Sequence, residues 1–187
     1  MKDKLKKQKI GTVIKQGTLE NQANIVYLSI GSNLGNKRIN IEKAKYLLKS
    51  NKVNIIKFSS FYETLSWPNS KFPKFYNVVI KIKTTLSSSS FFLLIKKIEK
   101  KLGRVDTKKN RPRTCDIDII DYNGDILSFK INNNYVEIPH LRLEDRNFVL
   151  LPLYEINKKW VHPKNKKKIR HLINKLDVKS LTAIKLI

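Results

Sequence analysis

A chain of 187 residues can bury a core of its own, and with one cysteine it can build neither an internal disulfide nor a thiolate zinc site. Its 39 Lys and Arg outweigh 15 Asp and Glu to give a formal charge of +24, but the excess is mostly lysine scattered along the chain. That pattern favours a solvated basic surface over a nucleic-acid module, since no aromatic RNP strand, zinc-finger spacing or basic heptad array accompanies it, and no segment is long and apolar enough to span a membrane.

From Met1 to Gln22 lysines alternate with single apolar residues, without the apolar run of a signal peptide. Residues 1–23 are therefore expected to form a loosely ordered basic extension, residues 24–176 the folded domain, and residues 177–187 a C-terminal tail. The lone Cys115 fits a reducing compartment, with the cytoplasm as the expected setting.

Within the domain, Ile25–Ile30 reads as a buried strand ending in the turn Gly31-Ser-Asn-Leu-Gly-Asn36. Ile41, Ala44, Leu47 and Leu48 recur at helical spacing and predict a helix over Lys37–Ser50. Val53–Phe61 predicts a second strand and Tyr76–Thr84 a third. Between them, Leu65–Lys74 is a long loop rich in Pro, Ser and aromatic residues, of a length that is often functional. Ser87–Ser90 supplies N-cap candidates for a helix over Ser88–Lys101, closed by Gly103.

The next strand is the most informative. Asp116 and Asp118 stand two apart in the β-branched run Cys115-Asp-Ile-Asp-Ile-Ile120, just after Arg111 and Arg113. Side chains two apart share one strand face with about 6.6 Å of rise between them, which puts both carboxylates on one side and Cys115, Ile117 and Ile119 on the other. Such a pair can hold two divalent cations roughly 3.5–4 Å apart, and arginines alongside suit phosphate. A half-buried edge strand with a polar face gives the same pattern. Asn123-Gly124 marks a hairpin turn. A helical or irregular segment follows over Leu141–Leu153, then a helix over Lys167–Lys175. The whole predicts an α/β (α+β) fold, a mainly antiparallel sheet covered by helices.

Taken in order, Gly31-Ser-Asn-Leu-Gly, Ser59-Ser-Phe-Tyr-Glu-Thr64, Phe75-Tyr-Asn77, Gly103-Arg104, Pro112-Arg-Thr-Cys-Asp-Ile-Asp118, Pro139-His140 and Arg146-Asn-Phe-Val-Leu-Leu-Pro-Leu153 resemble the 6-hydroxymethyl-7,8-dihydropterin pyrophosphokinase family. The likeness runs from about Ile25 to Leu176. It implies a ferredoxin-like core and transfer of pyrophosphate from ATP to the pterin hydroxymethyl group, giving AMP, in folate biosynthesis. It further implies two Mg²⁺ ions on Asp116 and Asp118, with Arg104 and Arg113 joining them in catalysis.

By the same resemblance Phe75 and Phe148 sandwich the pterin, Asn77 bonds its amide edge, and Thr64, Leu65 and Trp67 complete that pocket. Glu99, Arg104, Arg113, Ile119, His140 and Arg146 fall on the ATP side. His162 and His171 read as structural. The loop Val105-Asp-Thr-Lys-Lys-Asn-Arg111 departs from the family by one missing residue and by Asp106 and Thr107 at basic positions. A monomer is expected, with ATP and the pterin as its small-molecule partners and neither nucleic acid nor membrane among them. Two other readings remain: a nucleic-acid-binding module, and a ligand-binding protein without turnover.

Overall fold

A computed structural model of the chain describes residues 23–67, 69–105, 111–131 and 134–187. The expected N-terminal extension, save residue 23, and residues 106–110 of the loop after Arg104 lie outside them. Strand β1 (Asn24–Ser32) runs antiparallel between β4 (Phe75–Thr84) and the edge strand β5 (Asp116–Tyr122) in a six-stranded sheet. Its residues are buried from Val26 onward because both faces of the sheet are covered.

One face carries Val26, Leu28, Ile30, Val78, Ile80, Ile82, Ile117 and Ile119 against two helices. In α1 (Lys37–Ser50) the turns of Ile41, Ala44 and Leu48 supply the buried stripe, and the Asn36 side chain caps it by accepting from the Ile39 amide at 3.1 Å. In α2 (Ser88–Lys101) Phe91, Ile95 and Ile98 do the same under a Ser87 cap, and Gly103 at φ +81° ends it in the left-handed conformation. Both helices have the bounds their periodicity predicts.

The opposite face packs Tyr27, Val79 and Ile120 against α3 (Asn147–Ile156) and α4 (Ile169–Ile173), with Trp160 between. The bulge in β5 decides who faces which side. Tyr27 pairs with Asp121 and Leu28 with Ile119, so Ile120 is an extra residue and the alternation slips by one. Asp121 is thereby turned toward α3, where it accepts from Trp160 Nε1 and from the Gly124 amide, each at 2.7 Å.

Several expectations are corrected. The strand expected over Val53–Phe61 is two, β2 (Asn54–Phe58) and β3 (Tyr62–Thr64), both paired with β4. Buried Ser59 breaks it: its amide donates to the Val79 carbonyl at 2.9 Å, while its hydroxyl replaces a backbone carbonyl in accepting from the Val79 amide at 3.0 Å. The Asn123-Gly124 turn forms with φ +59° and +76°, as a type I′ turn requires. The strand beyond it, β6 (Leu127–Ile131), leaves β5 and pairs with β7 (Asn134–Ile138) as a separate two-stranded sheet.

The segment expected over Leu141–Leu153 is a 3-10 turn at Leu143–Asp145 followed by α3, which runs three residues further and holds Pro152 inside it. Residues 177–187, set apart as a tail, carry α5 (Val178–Thr182) and β8 (Ile184–Leu186), the latter paired antiparallel with β3. The architecture is the expected ferredoxin-like one, an antiparallel sheet flanked by helices.

Candidate active site

A cavity of about 550 Å³ lies on the α3 face of the sheet. Its floor is Ser29 and Gly31 of β1, Asn77 of β4, and Asp116 and Asp118 of β5, which the two-residue alternation sets side by side. Phe75 and Thr64 continue it toward the sheet edge, and Arg146, Asn147 and Phe148 form a wall at the start of α3. Leu65, Ser66 and Trp67 of the long loop and Arg142 stand at the rim. Gly31 leaves little room for a side chain: a Cβ there would lie 3.0 Å from Asn77 Oδ1 and 3.4 Å from Phe75 Cδ1.

Charge is concentrated on the β5 side. Arg104 Nη1 contacts Asp116 Oδ1, Arg113 Nε lies 3.2 Å from Asp116 Oδ2, and Arg146 Nη1 donates to Asp118 Oδ2 at 2.7 Å. Burial works against ionisation of Asp118, but the Arg146 guanidinium and the nearby His140 outweigh it and hold the carboxyl below its ordinary value. The Arg113 Nε contact is electrostatic only: with Thr114 Oγ1 it is a buried polar atom without a hydrogen bond among the described residues.

Beneath the strand sits Glu99 of α2, 1 % exposed. It accepts from the Ile117 amide at 2.7 Å, from Arg104 Nη1 at 2.5 Å and from Lys96 Nζ at 2.9 Å. Burial raises its pKa despite Lys96 and Arg104. Glu99 therefore fixes Arg104 to the start of β5, behind Asp116 rather than in the cavity.

Ten of the expected site residues line this cavity: Thr64, Leu65, Trp67, Phe75, Asn77, Arg113, Asp116, Asp118, Arg146 and Phe148. Arg104 reaches it through Asp116. Ile119 and Glu99 do not line it. The Ile119 side chain is 7 % exposed in the core beneath α1 and α2, on the face opposite the aspartates. His140 follows the cis Ile138–Pro139 bond and its Nδ1 accepts from the Arg142 amide at 3.0 Å. Burial lowers its pKa, opposed by the Asp118 carboxylate.

Among the residues the sequence reading passed over, Asn33 is the most consequential. It is 2 % exposed, donates through Nδ2 to Ser66 Oγ at 3.0 Å and to the Pro73 carbonyl at 3.2 Å, and accepts from the Arg113 amide at 2.8 Å. One amide thus ties the long loop to the arginine segment. Its signal lay in the Gly31-Ser-Asn motif, which carried the family resemblance but was assigned no role. Arg142, whose guanidinium lies 5.1 Å from the Trp67 ring across the rim, Asn147, Ser180 and Ala183 were also passed over.

Residues 27–158 match the family described as 7,8-dihydro-6-hydroxymethylpterin-pyrophosphokinase. The chain belongs to that family. A 2-amino-4-hydroxy-6-hydroxymethyldihydropteridine pyrophosphokinase of Aquifex aeolicus is 37% identical over 145 residues, which cover 78% of this chain and 88% of that protein. The folic acid synthesis protein FOL1 of Dictyostelium discoideum is 43% identical over 141 residues, 75% of this chain but only 20% of that longer protein. Among solved structures, the Plasmodium falciparum HPPK-DHPS with pteroate superposes with a TM-score of 0.73 at 18% identity, over 91% of this chain and 47% of that one. That likeness bears on the fold, which is shared.

Proposed function

We infer that the chain transfers the terminal pyrophosphate of ATP to 6-hydroxymethyl-7,8-dihydropterin and releases AMP, a step of folate synthesis. The observation that carries this reading is one cavity with two chemistries. Asp116, Asp118, Arg113 and Arg146 line it together with Phe75, Asn77, Thr64 and Phe148, and the Arg113 and Arg146 guanidiniums lie 5.6 and 5.5 Å from the Phe75 and Phe148 rings.

The charged residues suit phosphoryl chemistry. A bond forms between the hydroxymethyl oxygen and the β-phosphorus, the bond to the AMP oxygen breaks, and the hydroxyl proton passes to solvent. Negative charge grows on the leaving and non-bridging oxygens, so the protein's work is positioning and charge stabilisation rather than covalent participation. Arg113 and Arg146 offer planar forks to those oxygens, and Arg104 is held in line by Glu99.

Asp116 and Asp118 fit two Mg²⁺ ions. No cluster of three or more acidic, imidazole or thiol ligands exists among the described residues, and Mg²⁺ characteristically takes one or two carboxylates and completes its shell from phosphate and water. Bound there, the metal would supply Lewis-acid stabilisation of the phosphate charge. Phe75 and Phe148 offer ring faces to a flat heterocycle. The Asn77 amide, which donates to Thr64 Oγ1 at 3.0 Å, keeps its oxygen for the ring's polar edge.

A single buried thiol supports a reducing, cytoplasmic setting. Among the described residues no helix is long and apolar enough to cross a membrane. The test is separation of nucleotide products after incubation with Mg-ATP, with and without the pterin. Pterin-dependent AMP is expected; ADP, or no nucleotide change, would overturn the reading.

A further inference from the structure

The matched family region ends at residue 158, yet the cavity does not. Ser180 and Ala183, from the last ten residues of the chain, line it beside Thr64 and Phe148. Three sets of bonds hold them there. The β8 strand pairs with β3 in the register Tyr62↔Leu186, Glu63↔Lys185 and Thr64↔Ile184, and the Ile187 amide donates to the Phe61 carbonyl at 3.0 Å. Across the cavity, Asn147 Nδ2 donates to the Ser180 carbonyl at 2.5 Å. Within the segment, the Asp177 carboxylate accepts from the Ser180 amide at 2.6 Å and starts α5.

The segment therefore bridges β3, which carries Thr64, to the first turn of α3, which carries Arg146 and Phe148. It crosses the cavity next to Thr64 and Asn147. Ser180 and Ala183 are small, so the wall they form sets the depth of the cavity there without filling it.

We propose that residues 178–186 are a third wall of the pterin pocket, and that Ala183 is a specificity-determining residue limiting the size of the heterocycle accepted there. This rests on the pyrophosphokinase reading for the identity of the ligand. Ala183 is exposed and helical at φ −78°, ψ −6°, so a larger side chain is tolerated by the fold while it projects into ligand space.

The experiment compares wild type, Ala183→Trp, Ala183→Ser and a chain ending at Leu176, by steady-state AMP formation and by titration of the pterin's intrinsic fluorescence. In Ala183→Trp the pterin KM and dissociation constant are expected to rise about tenfold, equivalent to one steric clash at a packed surface. Its ATP KM and unfolding midpoint should stay at wild-type values, and Ala183→Ser should behave as wild type. The shortened chain should lose pterin affinity further while still binding a fluorescent ATP analogue. Wild-type pterin affinity in both Ala183→Trp and the shortened chain would overturn the proposal. A parallel loss of ATP binding in Ala183→Trp would overturn it too, since the segment would then support the whole site rather than the pterin pocket. A wild-type chain that makes no AMP and binds no pterin would instead remove the reading on which the proposal rests.

Discussion

Asp118 faces the cavity with Arg146 as its partner, and its loss removes one of the two β5 carboxylates that line it. Asp118→Ala should lower pterin-dependent AMP formation by about a hundredfold or more at saturating Mg²⁺, with the circular dichroism spectrum unchanged. Near-normal turnover would mean that Asp116 suffices. Gly31→Ala tests a different contact: its methyl must displace the Asn77 amide by a few tenths of an ångström. It should raise the pterin KM about tenfold and leave the ATP KM in place, because the crowding falls on Asn77 and Phe75, the residues proposed to hold the pterin. For Asn33→Ala both loop and arginine segment lose an anchor, and the Arg113 amide loses its acceptor. Chemical denaturation should show a loss of about 2 kcal/mol.

At the scale of elements, α3 is moored to the sheet edge through one side chain. Glu155 accepts from the Ser60 amide, the Ser60 hydroxyl and the Tyr62 hydroxyl, each at 2.9 Å. Burial, and then the bond to Glu155, push the Tyr62 phenol above its ordinary pKa. A group with a raised folded pKa stabilises the fold fully below its unfolded pKa, about 10 for tyrosine, and loses that contribution as pH rises through the folded value. Tyr62→Phe should therefore cost about 1 kcal/mol at neutral pH and make the fall in stability above about pH 10 shallower than in wild type. An unchanged alkaline limb in urea titrations would show that the phenol is not coupled to folding.

Which elements the sequence disclosed follows from the range of the forces that make them. The helices α1 and α2 depend on caps and stripes a few residues apart, and both were legible to the residue. The aspartate face of β5 was legible because alternation is local. The break between β2 and β3 depends on Ser59 meeting Val79, and β8 depends on a strand some 120 residues earlier. Nothing in the neighbouring sequence announces either. Ile119 was placed near ATP by resemblance, and its alternation with Asp118 puts its side chain in the core.

For the whole molecule the formal charge of +24 bears on rate more than on fold. ATP approaches as a polyanion while the pterin carries no comparable charge. Raising salt from about 50 to about 500 mM should thus lower kcat/KM for ATP roughly tenfold and leave the pterin KM nearly constant. Stopped-flow binding of a fluorescent ATP analogue would place the effect in the association rate. A change of equal size for both substrates would mean that salt acts on the structure.

The slip at Ile120 divides β5 into two phases of one strand. Before it, even-numbered positions look into the cavity; after it, odd-numbered Asp121 looks the same way and is spent on Trp160. Removing Ile120 would restore strict alternation and leave Asp116, Asp118 and Asp121 on the same face, at the cost of the Ile120 side chain buried against α3. Chemistry and anchorage thus occupy adjoining reading frames of the same strand, and a single inserted peptide unit keeps a lesion in one from being transmitted to the other.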